Sequence, residues 1–376
     1  MITLSIPIVA ICLFSTCTDE KKDKQGLLKF DIVDSLMIPV RSQSLVFGGY
    51  LSEEDVFLFG NLSTEVRIME INRNGEIIQS FSCSGEGDSK IGYKLSGLGY
   101  LNEESIGIIS EKGLYQFKRN GEMQSFIADP ESMTRYNDTK LYSVNQENGR
   151  LIIGTHHSFE GSESFSIYSD EFFENFKHFT VYELPLRRIS LEVGFDNYNF
   201  FRKKDEVFIG NIDYIHDEYM GKLYLINNPD PAIYVYDANN DFHFDFKIPL
   251  EPDYFNFQRS NIELIRGLYT SSSYTGMVVD GEKIIITYRT GIPEEVLPSG
   301  VIDPEYGSDL YNEHNKVFVM MYHRGQKVGQ DVLCSDRIYR ILAAVGQNEY
   351  LVEPNKAKVE LPDREVFYIC RFGEAN

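Results

Sequence analysis

The chain has 376 residues, of which 42% are hydrophobic, and this length is sufficient for a large buried core in one domain or in several. Its formal net charge of -21 argues against a nucleic-acid binder, because phosphate recognition needs clustered Lys and Arg side chains. The chain contains 26 Phe and 24 Tyr but no Trp, and Phe and Tyr favour β-strands.

The first 26 residues predict a lipoprotein signal and a tether. Residues 1–16 carry no charge and are too short, at about 1.5 Å per helical residue, to cross a hydrocarbon core of about 30 Å. They have the length of the apolar part of a secretory signal, and Leu13 to Cys17 ("LFSTC") resembles a bacterial lipobox in which Cys17 receives the lipid. Residues 17–26 then form an acidic tether without a core-forming segment. An ordinary N-terminal core strand is the alternative.

This resemblance implies an exported lipoprotein of the cell envelope, held in the outer membrane by acyl chains. Asp19 and Glu20, directly after Cys17, also resemble the acidic signal that directs lipoproteins of the Bacteroidota to the cell surface. The membrane is therefore a predicted partner through the anchor, whereas nucleic acid is not.

Two similar segments predict β-hairpins. Arg67 to Phe81 ("RIMEINRNGEIIQSF") and Gly113 to Phe126 ("GLYQFKRNGEMQSF") both place alternating apolar residues before Arg-Asn-Gly-Glu and a second strand after it. Asn-Gly is a strong hairpin signal and predicts a type I′ turn with positive φ at both central residues. The two Asn-Gly pairs lie 46 positions apart, which is the length of one four-stranded propeller blade.

Further strand patterns continue this spacing and predict six units, which start near residues 54, 105, 150, 205, 282 and 341. The predicted fold is therefore an all-β, six-bladed β-propeller that occupies residues 27–376 as a single domain. Leu27 to Val40 is expected to close the ring as an N-terminal strand. A β-sandwich or barrel is the alternative, but the period and the lack of a linker favour the propeller.

The order of lipobox cysteine, acidic tether, Arg-Asn-Gly-Glu hairpins and the segment Ser84 to Ser110 is similar to that of uncharacterised propeller lipoproteins of the Bacteroidota. Those proteins resemble six-bladed NHL and kelch-type propellers. The resemblance implies a propeller at the cell envelope. It implies no reaction, so no catalytic residue is transferred.

No catalytic residue, cofactor or metal site is predicted from motifs, because Gly-x-Ser-x-Gly, P-loop and dinucleotide patterns are missing from the sequence. Asp213 to Tyr219 ("DYIHDEY") gathers acidic side chains and one His, which suit either a cation or acid–base site or a solvated loop. Arg266, Tyr269, Tyr288 and Arg289 lie near an insertion and are predicted to bind an anionic or sugar ligand, since Arg offers a planar donor fork and Tyr a stacking face. A framework role is the alternative.

Cysteine counting leaves Cys83, Cys334 and Cys370 after the signal and the lipidated cysteine. An odd number cannot form a closed disulfide framework, so buried free thiols are favoured, and a bond between Cys334 and Cys370 is the alternative. For function, the sequence favours a protein- or peptide-binding scaffold. A glycan or small-ligand binder using the central funnel comes second, and a metal-dependent hydrolase or lyase comes third.

Overall fold

The computed structural model describes the chain from residue 28 to residue 374. Within these limits it leaves out residues 41–44, 62–64, 88–89, 111, 129–132, 137–138, 147–148, 155–156, 161–176, 185–186, 195–213, 229, 257–266, 268, 299–303 and 360–362. The predicted signal, Cys17 and the tether therefore lie outside the described residues, as does the predicted unit near residue 205.

The described strands form five sheets around a central channel, and three of these sheets have four antiparallel strands each. The first comprises β2 (Leu45–Leu51), β3 (Val56–Asn61), β4 (Arg67–Asn72) and β5 (Ile77–Ser82). Another comprises β16 (Tyr214–Tyr219), β17 (Lys222–Asn227), β18 (Ala232–Asp237) and β19 (His243–Pro249). The third comprises β25 (Ile338–Gly346), β26 (Glu349–Pro354), β27 (Glu365–Glu374) and β1 (Leu28–Ile38).

The remaining strands form one sheet of five strands and one of ten. The five-stranded sheet comprises β20 (Ser273–Asp280), β21 (Lys283–Arg289), β22 (Val317–His323), β23 (Gln326–Lys327) and β24 (Val332–Leu333). The ten-stranded sheet comprises β6 (Leu95–Asn102), β7 (Ser105–Ser110), β8 (Gly113–Lys118), β9 (Met123–Ala128), β10 (Met133–Tyr136), β11 (Thr139–Gln146), β12 (Gly149–Gly154), β13 (His157–Glu160), β14 (Lys177–Glu183) and β15 (Arg188–Gly194). An α-helix, α1 (Pro304–His314), and short 3₁₀ turns at Ala238–Asn240 and Glu294–Val296 complete the described elements.

The propeller architecture is confirmed, but the predicted number of six blades is wrong, because the described strands form five continuous sheets. The second and third predicted units are one sheet, since β11 pairs in parallel with β6 through Thr139 with Gly97 and Lys140 with Leu98. Glycine permits this approach: a Cβ on Gly99 would lie 2.5 Å from the carbonyl oxygen of Leu141. The sequence repeats predict hairpins within a unit, but they contain no signal for the pairing of strands from two different units, such as β6 with β11.

The N-terminal strand closes the ring as predicted. β1 pairs antiparallel with β27 from Leu28 opposite Glu374 to Ile38 opposite Glu365, with one irregularity near Ile32. The first and last described strands of the chain thus share one sheet.

The two Arg-Asn-Gly-Glu segments form hairpin turns, but these are not of the predicted type I′. The N–H of Gly75 donates to the Asn72 carbonyl at 3.0 Å, and Gly75 has a φ of 83° whereas Asn74 does not have positive φ. Gly121 repeats this geometry with a φ of 88°. The loop is therefore a turn closed by one left-handed glycine, followed by a register shift in the ladder, and the Arg occupies its first central position.

The core lies between neighbouring sheets. Strand β3 is buried at Val56 through Gly60 on both faces, whereas the outer strand β5 is largely half-exposed. One cluster joins Phe57 and Phe59 of the first sheet to Phe367 of the closing sheet. Burial of both faces explains why inner strands are continuously apolar rather than alternating. Among the residues described, no helix combines the length and apolar character needed to cross a membrane.

Candidate functional site

The candidate site is a cavity of about 730 Å³ at the centre of the propeller. Six strands line it, namely β2, β6, β11, β16, β20 and β25. In β6, β16 and β20 the lining residues come from the C-terminal half of the strand, and in β2 they extend to its last residue, Leu51, so the cavity lies toward one end of the channel. We call this end the channel mouth. Its polar wall residues are Tyr50, Tyr100, Asn102, Glu103, Glu104, Tyr142, Ser143, Asp217 and Glu218.

Three tyrosines in the wall are held by hydrogen bonds. The Tyr50 hydroxyl donates to Asp55 Oδ1 at 2.8 Å, and the Tyr100 hydroxyl donates to Glu70 Oε1 at 2.9 Å. The Tyr142 hydroxyl donates to the His216 carbonyl at 2.7 Å. Burial raises the pKa of Tyr50 to about 12 and raises the pKa of Tyr100 and of Tyr142 as well. All three are thus neutral phenols at physiological pH, with ring orientation fixed by these bonds.

Carboxylates give the mouth a negative charge. Asp217 Oδ2 accepts the N–H of Val279 at 2.7 Å, and Glu218 Oε1 accepts the N–H of Gly221 at 2.7 Å. Burial raises the pKa of Glu218, Asp217 raises it further, and the Gly221 bond opposes the shift. Glu103 and Glu104 are exposed in the turn after β6. The wall therefore combines acceptor oxygens with aromatic faces, and both attract cationic groups.

An ion-pair network supports the wall behind Tyr100. Arg119 donates through Nε to Glu70 Oε1 at 2.7 Å and through both Nη atoms to Glu54, at 2.6 and 2.8 Å. The Glu70 side chain is only 2% exposed, and its Oε2 has no hydrogen-bond partner within the described ranges. Arg119 belongs to the β8–β9 hairpin, whereas Glu54 and Glu70 belong to the preceding sheet, so the network joins two sheets.

The Arg-Asn-Gly-Glu hairpin between β4 and β5 also joins two sheets through its arginine. Arg73 Nη2 contacts Glu349 Oε2 of the closing sheet at 2.5 Å, and Nη1 donates to the Val345 carbonyl at 3.2 Å. Glu349 also pairs with Arg371. The repeated arginine is therefore an inter-sheet contact, and each arginine reaches back to the sheet before its own.

The four residues predicted to bind a ligand lie in different environments. Tyr288 is fully buried, and its hydroxyl donates to Asp331 Oδ2 at 2.5 Å. Tyr269 packs in a small cluster with Ile292 and Leu310. Arg289 is half-buried, at the opposite end of β20 from the channel mouth. Arg266 lies outside the described residues.

Some functional candidates were found by sequence reasoning and others were missed. The segment "DYIHDEY" contributes Asp217 and Glu218 to the wall, although Asp213 lies outside the described residues. Tyr50 and Tyr100 were not predicted, although Gly49-Tyr50-Leu51 and Gly99-Tyr100-Leu101 repeat one triplet near the ends of β2 and β6. This repeated triplet was the sequence signal that could have identified both tyrosines as wall residues.

Within the described ranges, no group of three or more His, Cys, Asp or Glu side chains is placed to hold a metal ion. Cys83, Cys334 and Cys370 are buried free thiols, which agrees with the favoured prediction over the disulfide. Burial raises the pKa of Cys83 and of Cys370 to about 12, so neither is an activated thiolate.

Two solved structures with a similar fold come from Bacteroides. A member of the DUF4221 family from Bacteroides vulgatus has a TM-score of 0.67 at 11% identity, covering 94% of this chain and 100% of that chain. A candidate exported protein from Bacteroides fragilis has a TM-score of 0.52 at 9% identity, covering 96% of this chain and 98% of that chain. No protein-family model and no curated protein matches the sequence. The predicted likeness to propeller proteins of the Bacteroidota is thus supported at the level of fold.

Proposed function

We propose that this protein is a lipid-anchored binding module of the cell envelope, and that its channel mouth receives basic side chains of a protein or peptide partner. The observation that carries the proposal is the mouth itself, where Glu103, Glu104, Asp217 and Glu218 lie beside three tyrosine rings. A concave site walled by carboxylates focuses negative potential, which attracts Lys and Arg and accelerates their approach. Neutral tyrosine faces add cation–π attraction once the cation enters.

The anchor rests on Cys17 and the apolar residues before it. The fold shared with a candidate exported protein from Bacteroides fragilis supports export of this chain. We expect the full-length protein to incorporate labelled palmitate and to sediment with membranes, and Cys17→Ser to lose both properties. Cys83→Ser is the matched control, because this cysteine is buried in the core. Palmitate incorporation by the Cys17→Ser protein would refute the anchor.

The binding role is tested by site-specific photocrosslinking in native membranes. A photoreactive amino acid replaces Asn102, an exposed residue of the channel wall, and in a control protein it replaces Ile78, which is 50% exposed on the outer strand β5. We expect a partner, identified by mass spectrometry, that crosslinks at position 102 and not at position 78. Equal crosslinking at both positions would contradict binding at the mouth.

Charge variants then test the chemistry. Glu103→Gln with Glu104→Gln removes two negative charges at the mouth, and Glu76→Gln with Glu122→Gln removes the same charge from two outer turns. We expect only the mouth variant to weaken binding of the identified partner, and to reduce the dependence of that binding on salt. Unchanged affinity of the mouth variant would contradict the proposal.

A glycan or another small ligand is the second candidate, favoured by the size of the cavity. A volume of about 730 Å³ lies within the range of small-molecule sites, about 300–1,000 Å³. Tyrosine rings suit the faces of sugars, and carboxylates accept hydrogen bonds from their hydroxyl groups. Saturation-transfer NMR with neutral oligosaccharides distinguishes this function, since a glycan binder gives signals that the mouth variant loses.

A further inference from the structure

Arg289 is held in a fixed position by three neighbours from three elements. Its Nε donates to Ser273 Oγ at 2.8 Å, across the β20–β21 pair. The guanidinium carbon lies 4.7 Å from the ring centroid of Tyr311 in α1 and 5.9 Å from that of Tyr339 in β25. These contacts orient the planar group and reduce the entropy that it loses when a ligand binds.

Among the described arginines that are half-buried, Arg73, Arg119 and Arg340 each pair with a carboxylate, and Arg289 does not. Within the part of the chain that the structure describes, no Asp or Glu lies within ion-pair distance of Arg289, and no acceptor contacts its Nη atoms. Arginines that do pair with Asp or Glu are Arg73, Arg119, Arg188, Arg324, Arg340 and Arg371. In a chain of net charge -21, a half-buried guanidinium with open Nη donors is the exception that needs a reason.

The surroundings favour a carboxylate over a phosphate. A single guanidinium fork matches the two oxygens and single charge of a carboxylate. A phosphate dianion would favour a second cation, but Arg340, which stacks on the same Tyr339 ring at 5.7 Å, already donates to Glu353 Oε2 at 2.6 Å. Burial raises the pKa of Tyr311 to about 12, so this phenol adds no negative charge beside the anion.

We propose that Arg289, positioned by Ser273, Tyr311 and Tyr339, binds the carboxylate of a small ligand. The site is separate from the channel mouth, because Ser273 and the wall residue Val278 lie five residues apart on β20, or about 17 Å in an extended strand. The proposal therefore does not depend on the proposed function. A sugar acid and the C-terminus of a short peptide are the two sources of this chemistry.

The test measures binding of four probes to the full-length protein in detergent by titration calorimetry. Glucuronate is compared with glucose, and trialanine with trialanine amide, so that each carboxylate has a neutral counterpart. We expect binding of at least one carboxylate probe and not of its counterpart. Glucuronate alone would identify a sugar acid, and trialanine alone a peptide terminus. Failure of both carboxylates to bind at millimolar concentration would overturn the proposal.

Variants locate the site. Arg289→Gln is expected to reduce affinity for the carboxylate at least tenfold, and Arg289→Lys is also expected to reduce it, since Lys lacks the planar fork. Arg324→Gln, which changes an exposed arginine paired with Glu282, is the control that keeps wild-type affinity. Unchanged affinity of Arg289→Gln would overturn the proposal.

A measurement on the wild-type protein covers the case in which these variants fail to fold. Phenylglyoxal modifies accessible arginines, and peptide mass mapping reports the rate at each position. We expect the bound carboxylate to slow modification at Arg289 and not at Arg324. Equal rates at Arg289 with and without a carboxylate that binds would show that it binds elsewhere.

Discussion

Arg119→Ala should be among the most destabilising surface-proximal substitutions in this chain. The change leaves the Glu70 carboxylate, only 2% exposed, without its ionic partner. Removing one partner of a buried ion pair typically costs about 3–5 kcal/mol. We expect about 3 kcal/mol, the low end of that range, because the Tyr100 hydroxyl still donates to Glu70 Oε1. The half-exposed pair with Glu54 adds little, about 0–1 kcal/mol.

The assay is equilibrium urea unfolding followed by circular dichroism, with the free energy of unfolding compared between variants. Lys118→Ala is the matched control, since it removes the neighbouring but exposed pair with Glu122, which is worth about 0–1 kcal/mol. The double variant Arg119→Met with Glu70→Gln removes both charges and should be more stable than Arg119→Ala alone.

An equal decrease in the free energy of unfolding for Arg119→Ala and Lys118→Ala would contradict this prediction. The prediction would also be refuted if the double variant were the less stable of the two Arg119 proteins. The first result would mean that the buried carboxylate does not depend on Arg119. The second would mean that the network stabilises through shape rather than charge.

Two further predictions concern packing and pH. Gly99→Ala should lower the free energy of unfolding by about 1–3 kcal/mol, because the new Cβ would lie 2.5 Å from the Leu141 carbonyl oxygen. Hydrogen exchange at the backbone amides of Thr139 to Leu141 should accelerate. Gly373→Ala is the control and should not destabilise the protein, because a Cβ there meets nothing within 4 Å. Glu218→Gln should stabilise the protein at neutral pH. Burial raises the pKa of Glu218 in the folded protein above its ordinary value of 4.5. The wild type therefore loses stability as the pH rises from the ordinary pKa through the raised pKa of the folded state. Urea unfolding at pH 4 and pH 7 checks the sign, and a stabilising effect confined to pH 4 would contradict it.

The hairpins and the closing strand could be predicted because their signals are local. Arg-Asn-Gly-Glu marks each turn within a few residues, and β1 is an apolar strand that needs a partner at the end of the chain. The pairing of β6 with β11 could not be predicted in this way. It depends on the approach of two backbones that Gly99 permits, and no residue pattern distinguishes such a glycine from one in a turn.

The candidate site was predicted less well than the fold, and strand geometry explains why. Tyr288 and Arg289 are adjacent on β21, so their side chains point to opposite faces. Tyr288 enters the core, where its hydroxyl reaches Asp331, while Arg289 reaches Tyr311 and Tyr339. Their residue types and their position near an insertion make both residues candidates for ligand binding, but do not show which of the two is buried in the core. The Gly-Tyr-Leu repeat would have identified two wall residues, because it recurs at equivalent places in two inner strands.

The channel mouth and Arg289 carry opposite charges and should act independently. About 17 Å of strand separates them, whereas the Debye length at physiological ionic strength is about 8 Å. Neutralising Glu103 and Glu104 should therefore leave the affinity of Arg289 for a carboxylate probe unchanged at physiological salt. Lowering the salt concentration extends the range of the electrostatic field. The variant should then bind the carboxylate probe more tightly than the wild type does, since it lacks two negative charges that repel the probe. Titration calorimetry at both salt concentrations checks this. A large effect at physiological salt would mean that the two sites are coupled through the structure rather than through the field.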